Sequence, residues 1–92
     1  MTDNYYTVIK NNRIIMTKLK PLPAIKVIKI LSKIGFQVIR QKGSHVFLKH
    51  PDGRRVVVPV HPNEKIDRSL LRKIIKEINL SREEFVKLMK EV

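Results

Sequence analysis

The chain has 92 residues, of which 42% are hydrophobic and 30% charged, so it is long enough for one compact domain and not for two. Its 20 Lys and Arg outnumber 8 Asp and Glu, and a formal charge of +12 favours a polyanionic partner: nucleic acid, an acidic protein or an anionic membrane surface. The chain has no cysteine, which excludes disulfides, cysteine nucleophiles and cysteine-ligated metals. No apolar run approaches the ~20 residues of a spanning helix, and no secretory signal is recognisable, so we expect a cytoplasmic protein without a membrane partner.

Residues 1–20 are predicted to be an N-terminal extension, and residues 21–92 a single domain. Within the extension, "YYTVIKNNRIIM" places two β-prone runs around Asn11 and Asn12, which tolerate positive φ in tight turns. This pattern predicts a hairpin. The alternative is that Met16 is the true start and that the preceding residues are a flexible extension or are not translated.

A first helix is predicted over residues 24–34. Ile25, Ile28, Leu31 and Ile34 recur at helical spacing, which predicts that they form its buried stripe. Gly35 follows where a left-handed helix stop is favoured.

Three strands are predicted next, over residues 36–41, 45–50 and 55–60. The turn sequences "KG" and "PDG" between them favour hairpins, so the strands should form an antiparallel meander. Pro59 cannot donate a ladder hydrogen bond, which predicts that the third strand is an edge.

Two helices are predicted after the strands. Asp67 is a suitable N-cap for a helix over residues 68–78, which has an apolar stripe and ends before Asn79. Ser81 and Glu84 form a capping-box pattern that opens a short C-terminal helix. The predicted fold class is therefore α+β, in the order α-β-β-β-α plus the short helix, with the helices packed on one face of a three-stranded antiparallel sheet.

The step "KGSH" between the first two strands contains the candidate site. A two-residue turn at Lys42 and Gly43 would pair His45 with Arg40, and the next hairpin would pair His45 with Val60. His61 would then follow at the same end of the sheet.

His50, an odd number of residues from His45, would lie on the other face at the far end. His61 is therefore the better histidine partner for His45. The three histidines are predicted to be scattered, so we expect no metal site and no cofactor.

These residues suit metal-independent RNA cleavage. A histidine can exchange a proton near neutrality. Arg40 and Lys42 can stabilise the negative charge that grows on the phosphate during the reaction. Gly43 permits close backbone approach, and Ser44 can bond a phosphate oxygen or orient the imidazole.

Two plainer interpretations of His45 remain open: a phosphate contact without catalysis, and an ordinary surface or half-buried histidine. The chain could equally be a subunit whose main ligand is an acidic protein. Basic residues that could bind any polyanion are concentrated on the strands and the second helix: Arg40, Lys42, Lys49, Arg54, Arg55, Arg68, Arg72 and Lys73.

The segment from about Ala24 to Ser81 resembles the HicA family of toxins. The resemblance rests on "GFQVIRQKGSH", the "HPDGR" hairpin, the "VPVHP" exit and "LLRKIIKEINLS". It implies a fold similar to the double-stranded-RNA-binding domain and the activity of an mRNA interferase, a ribonuclease that cuts messenger RNA without a metal. It also implies a HicB-type antitoxin as partner. The family's functional histidine follows a Gly-Ser or Gly-Thr step, which implies a catalytic role for His45, with Arg40, Lys42, Gly43, Ser44 and His61 expected to bind RNA.

Overall fold

The computed structural model describes residues 5–10 and 13–92, with side chains described from Leu19 onward. These residues form seven strands and three helices. In chain order they are β1 (Tyr5–Lys10), β2 (Arg13–Lys18), β3 (Leu22–Pro23), α1 (Ala24–Lys33), β4 (Gln37–Lys42), β5 (His45–Lys49), β6 (Arg55–Pro59), β7 (Lys65–Ile66), α2 (Arg68–Glu77) and α3 (Arg82–Glu91). The predicted α+β class and the α-β-β-β-α order are confirmed.

The central sheet has three antiparallel strands in the order β4-β5-β6. Each predicted strand is present and agrees with its predicted bounds to within one residue. β6, which contains Pro59, is an edge strand, as predicted, so the missing amide donor of proline costs the ladder little.

One face of the sheet is buried under the helices and the other faces solvent. Val46 and Leu48 on β5 and Val56 and Val58 on β6 are buried. The alternate residues of both strands point to the opposite, open face, as the period of two requires. We call that open side the outer face.

Helix α1 begins and ends close to prediction, and three residues of its predicted stripe contact the core: Leu31 is buried, and Ile28 and Ile34 pack partly buried against it. Val27, Ile30 and Leu31 are buried, whereas Ile25 is 60% exposed, so the prediction that Ile25 belongs to the core stripe was wrong. The cause is the segment before the helix. β3 pairs with β7 through Leu22 and Ile66, and this pairing sets the rotation at which α1 starts.

Helices α2 and α3 have the predicted caps. The Asp67 carboxylate accepts a hydrogen bond from the Leu70 amide at 2.8 Å, and the Ser81 hydroxyl accepts one from the Glu84 amide at 3.1 Å. Asn79 ends the α2 segment with φ of 55°, the left-handed conformation expected at a helix stop. α3 has 10 residues, as many as α2, so it is not the short helix that we predicted.

The N-terminal strands confirm the predicted hairpin. β1 pairs with β2 antiparallel, with Lys10 opposite Arg13; Asn11 and Asn12 of the predicted turn lie outside the described residues. β1 packs against α3. Leu19 is fully buried in the core. The division at residue 20 and the choice of start stay predictions.

The β5–β6 turn is anchored to the ends of two helices. The His50 ring meets Phe36 edge-on at 5.1 Å, and its Nε2 lies 2.9 Å from the Ile34 carbonyl at the end of α1. The Arg54 guanidinium lies over Phe36 at 5.2 Å and donates to the carbonyl of Ile78 after α2. His50 is therefore a structural residue.

Asp52 organises the same turn. Its carboxylate accepts hydrogen bonds from the Arg54 amide at 3.0 Å and from Arg54 Nε at 2.8 Å. The Arg54 amide, followed by the Arg54 side chain, lowers the pKa of Asp52 below its usual value. Because His50 Nε2–H donates to Ile34, the neutral ring accepts from the Asp52 amide at Nδ1, 3.1 Å away. The Asp52 carboxylate, 3.0 Å from Nδ1, becomes a partner when the ring is protonated.

We predict that Gly35→Ala destabilises the fold more than Gly53→Ala. Both glycines have φ of 102°, so both substitutions strain the backbone by about 1–3 kcal/mol. A Cβ at Gly35 would also lie 2.7 Å from His50 Nε2, while nothing lies within 4 Å of one at Gly53. The displaced ring loses its bond to Ile34, which adds about 1 kcal/mol. Urea unfolding followed by circular dichroism measures both; equal losses contradict the His50 contact.

We predict that the stabilisation by the Asp52 carboxylate is lost in acid. A group whose pKa is lowered by folding contributes stability above its unfolded pKa, near 3.8, and loses it as pH falls through the folded pKa. The free energy of unfolding of the wild type should therefore exceed that of Asp52→Asn at pH 5, and the difference should close as the pH falls below 3.8. Urea titrations across this range test the prediction, with Asp67→Asn as a carboxylate control elsewhere. A gap that is constant from pH 5 to 2.5 contradicts it.

Candidate active site and nucleic-acid interface

The turn before His45 is a tight hairpin that differs by one residue from the prediction. Lys42, not Arg40, pairs with His45, and the two loop residues are Gly43 and Ser44. Gly43 has φ of 58°, and Ser44 is not among the residues with positive φ. Positive φ at the first loop position alone is typical of a type II′ turn, which glycine favours there. The Gln41 side chain donates to the Gly43 carbonyl at 3.1 Å and steadies the loop.

Arg40 lies opposite Phe47, so its predicted pairing with His45 was wrong. Its guanidinium carbon sits 4.5 Å from the centre of the Phe47 ring, a cation–π contact. Arg40 is a diagonal neighbour of His45, at about 7–8 Å. A bulge at Ile39, between Val38 and Arg40, shifts the register of the rest of β4.

The other side of His45 is shifted as well. His45 pairs with Pro59 rather than with the predicted Val60. The Val60 amide instead donates to the Ser44 carbonyl at 2.6 Å, which ties the segment after β6 to the turn before β5. His61 follows Val60 and is exposed. Gly43, Ser44, His45 and His61 are thus all at one end of the sheet.

The His45 side chain is exposed on the outer face. His50 belongs to the buried side at the opposite end of β5, about 16 Å away at 3.3 Å per residue. The prediction that His45 and His50 lie on opposite faces is confirmed, because His45 is exposed on the outer face while His50, just after β5, contacts Phe36 and the Ile34 carbonyl on the helix side.

The outer face combines cations with exposed apolar side chains. The three strands of this face, residues 37–42, 45–49 and 55–59, contain no Asp or Glu. A shallow cavity of about 540 Å³ lies between Arg40 and Arg55 and is floored by Phe47 and Val57. We call the following residues the cationic face: Ile39, Arg40, Lys42, His45, Phe47, Lys49, Arg55 and Val57.

Arg72 and Lys73 belong to a second basic group. A cavity of about 570 Å³ at the junction of α2 and α3 is lined by Arg72, Lys73, Lys76 and Arg82. Arg54 contacts the end of α2, which places this group at the His50 end of the sheet, away from His45. The predicted basic set is therefore divided: Arg40, Lys42, Lys49 and Arg55 are on the cationic face, and Arg72 and Lys73 are in the second group. Lys76 and Arg82 of the second group were not predicted.

Within the described part of the chain, no three His, Asp or Glu side chains come together as a metal ion would require. In the same residues, no helix has the length and apolar character needed to cross a lipid bilayer.

The fold and the exposed hairpin histidine define a class: a small basic α+β domain whose sheet presents a cationic outer face. A family model described as the HicA toxin of bacterial toxin–antitoxin systems matches residues 25–80, from α1 to just beyond α2. The chain therefore belongs to the HicA toxin family. No curated protein matches the sequence closely. The hairpin β1–β2 and helix α3 lie outside the matched segment.

Proposed function

We propose that this toxin acts as a metal-independent endoribonuclease on messenger RNA, with His45 as a proton-transfer residue. The observation that carries the proposal is the position of His45: it is exposed, at the end of a strand, beside Lys42 and on a face whose charges are all positive. An RNA strand on this face would meet the imidazole without having to open the fold.

The chemistry uses the RNA's own nucleophile. The ribose 2′-hydroxyl attacks the adjacent phosphorus and gives up its proton to a base, while the bond from phosphorus to the 5′-oxygen breaks and that oxygen takes a proton from an acid. The products are a 2′,3′-cyclic phosphate and a 5′-hydroxyl end. DNA lacks the 2′-hydroxyl, which confines the reaction to RNA.

The neighbouring residues supply charge and access. Lys42, opposite His45, and Arg40, one diagonal step away, can stabilise the charge on phosphorus in the transition state. Gly43 and Ser44 leave the turn open for a phosphate, because Gly43 has no neighbour within 4 Å of where a Cβ would stand. Arg40, Lys42, Gly43, Ser44 and His61 are thus proposed RNA contacts.

His61 is the proposed complement to His45. The hydrogen bond between Val60 and Ser44 holds the start of its loop against the catalytic turn. With two imidazoles, one can accept the 2′-hydroxyl proton while the other protonates the 5′-oxygen.

A HicB-type antitoxin is the proposed protein partner, and the cationic face is the surface that it would cover. Phe47 and Val57 lie among the cations of this face, and Val57 is 38% exposed. Exposed apolar groups inside a charged rim suit a protein interface better than a surface that binds phosphate alone. An acidic patch on the antitoxin would match the rim.

We predict that His45→Ala abolishes RNA cleavage and growth arrest while keeping the fold and most of the affinity for RNA. The side chain is exposed, so its removal leaves no cavity. Cleavage of a fluorescent RNA in the presence of a chelator, binding to a 2′-O-methyl analogue and unfolding in urea are measured together. Lys90→Ala, an exposed change on α3, is the control. Undiminished cleavage would mean that His45 is only a phosphate contact; wild-type protein that binds no RNA at moderate salt would favour an acidic protein as the sole ligand.

We predict that His61→Ala lowers the cleavage rate by about 10²–10⁴-fold, the usual contribution of a general acid or base. The pH–rate profile should also lose one limb, because one titrating group is gone. Binding to the 2′-O-methyl analogue should change little, which separates a chemical role from loss of a phosphate contact. A rate within threefold of wild type would exclude His61 and point to Lys42 or water.

A further inference from the structure

A groove lies beside the His61 loop, and apart from His61 its lining has no part in the proposed chemistry. It has a volume of about 340 Å³, at the small end of the range for ligand pockets. It lies between the start of α1 and the segment from Val60 to β7. Its lining includes Ile25, Val60, His61, Asn63, Glu64 and Lys65.

The exposed Ile25 forms part of its wall. This side chain has the helical spacing of a core residue, yet it is 60% exposed. Pro23, Ala24 and Val60 complete an apolar lining around it. A single exposed apolar residue is common on protein surfaces. Ile25, however, stands in a concave lining with other apolar groups, which is the usual setting of a ligand site.

The groove adjoins the proposed active site through one residue. His61 lines it, and Val60, its neighbour, donates a hydrogen bond to the carbonyl of Ser44 immediately before His45. A nucleotide next to a phosphate held by His61 would therefore be beside the groove.

The loop that carries the polar lining is held in shape. β7 is paired with β3, with Lys65 opposite Pro23, and the Glu64 amide donates to the His61 carbonyl at 3.2 Å. Asn63 has φ of 63°. Polar groups on such a loop are positioned before a ligand arrives, which is what discrimination between similar ligands requires.

Glu64 gives the groove a chemical preference. The chain has only 8 acidic residues against 20 basic ones, and in the described part of the chain no Lys, Arg or His forms an ion pair with Glu64. A carboxylate close to the RNA backbone is repelled by the phosphates, which is unfavourable unless the carboxylate accepts a hydrogen bond from the RNA. The exocyclic amine of a base is such a donor, and Asn63 offers a donor and an acceptor next to it.

We propose that this groove binds a nucleobase next to the scissile phosphate, stacked on Ile25 and read by Glu64 and Asn63, and that it selects bases with an exocyclic amine. The proposal rests on the proposed ribonuclease function for the position of the strand. Apolar side chains serve as stacking surfaces for unpaired bases elsewhere, and carboxylates accept from the cytosine amine.

The test uses short RNAs that differ in one base on either side of the cleaved bond, with cytosine compared against uracil at each place. Wild type should prefer cytosine in kcat/KM at one of the two positions. Glu64→Gln should reduce that preference by about 5- to 10-fold, because the amide can donate to the uracil carbonyl as well as accept from the cytosine amine, a difference of about one hydrogen bond. Ile25→Ala should raise KM for every base. Glu83→Gln and Val38→Ala, an exposed carboxylate on α3 and a valine that is 52% exposed on β4, are the matched controls.

Affinity for 2′-O-methyl analogues of the same RNAs gives a readout that does not depend on cleavage. Unchanged base preference in both Glu64→Gln and Ile25→Ala, with cleavage intact, overturns the groove and leaves the ribonuclease. A cytosine preference in binding that Glu64→Gln removes, without cleavage by wild type, supports the groove and overturns the ribonuclease. Absence of RNA binding overturns both.

Discussion

The burial of only one face of the central sheet is the constraint on which the rest of the structure depends. Val46, Leu48, Val56 and Val58 must face the helices to make a core in so short a chain. The period of two then forces the alternate residues outward, whatever their chemistry. His45 and Phe47 are on the outer face for this reason, and a register slip of one residue would exchange the two sets.

The same constraint gives His45 and His50, at the two ends of β5, different roles. His50, at the far end and on the buried side, is held by Phe36, the Ile34 carbonyl and the Asp52 turn. His45 has none of these partners and stays open to solvent. The contacts of His50 and Arg54 tie this end of the sheet to α1 and α2. These anchoring contacts are far from the proposed chemistry, and the His45 end stays open to solvent.

Element type and order could be predicted from the sequence because the signals are local. Asp67, Ser81 and Asn79 cap or stop helices through contacts within three residues, and alternation identifies the strands. The predicted register of the β4–β5 hairpin was wrong, and the cause is also local. Gly43 has a left-handed conformation, so the turn starts at Gly43 and not at Lys42. The bulge in β4 also shifts the register, and no sequence pattern in β4 predicts it.

The error at Ile25 has a different origin. Several apolar stripes are available on α1, since Ile25, Val27, Ile28, Ile30, Leu31 and Ile34 crowd ten positions. Periodicity cannot choose between them, because the choice depends on the pairing of β3 with β7, two segments separated by more than forty residues. The groove beside Ile25 was therefore invisible in the sequence, while the Gly-Ser-His step was not.

The charge of the chain can serve both proposed ligands of the cationic face because the two use it differently. RNA would be held mainly through phosphates, so its affinity falls steeply as salt rises. An antitoxin would also bury Phe47, Ile39 and Val57, and apolar contacts are not screened by ions. At physiological ionic strength the balance therefore shifts toward the protein partner, although both ligands are attracted by the same charges. A face of cations alone would bind both ligands through charge and would lack this difference. The exposed apolar residues between Arg40 and Arg55 therefore have a physical role in the proposed inhibition of the proposed ribonuclease by its antitoxin.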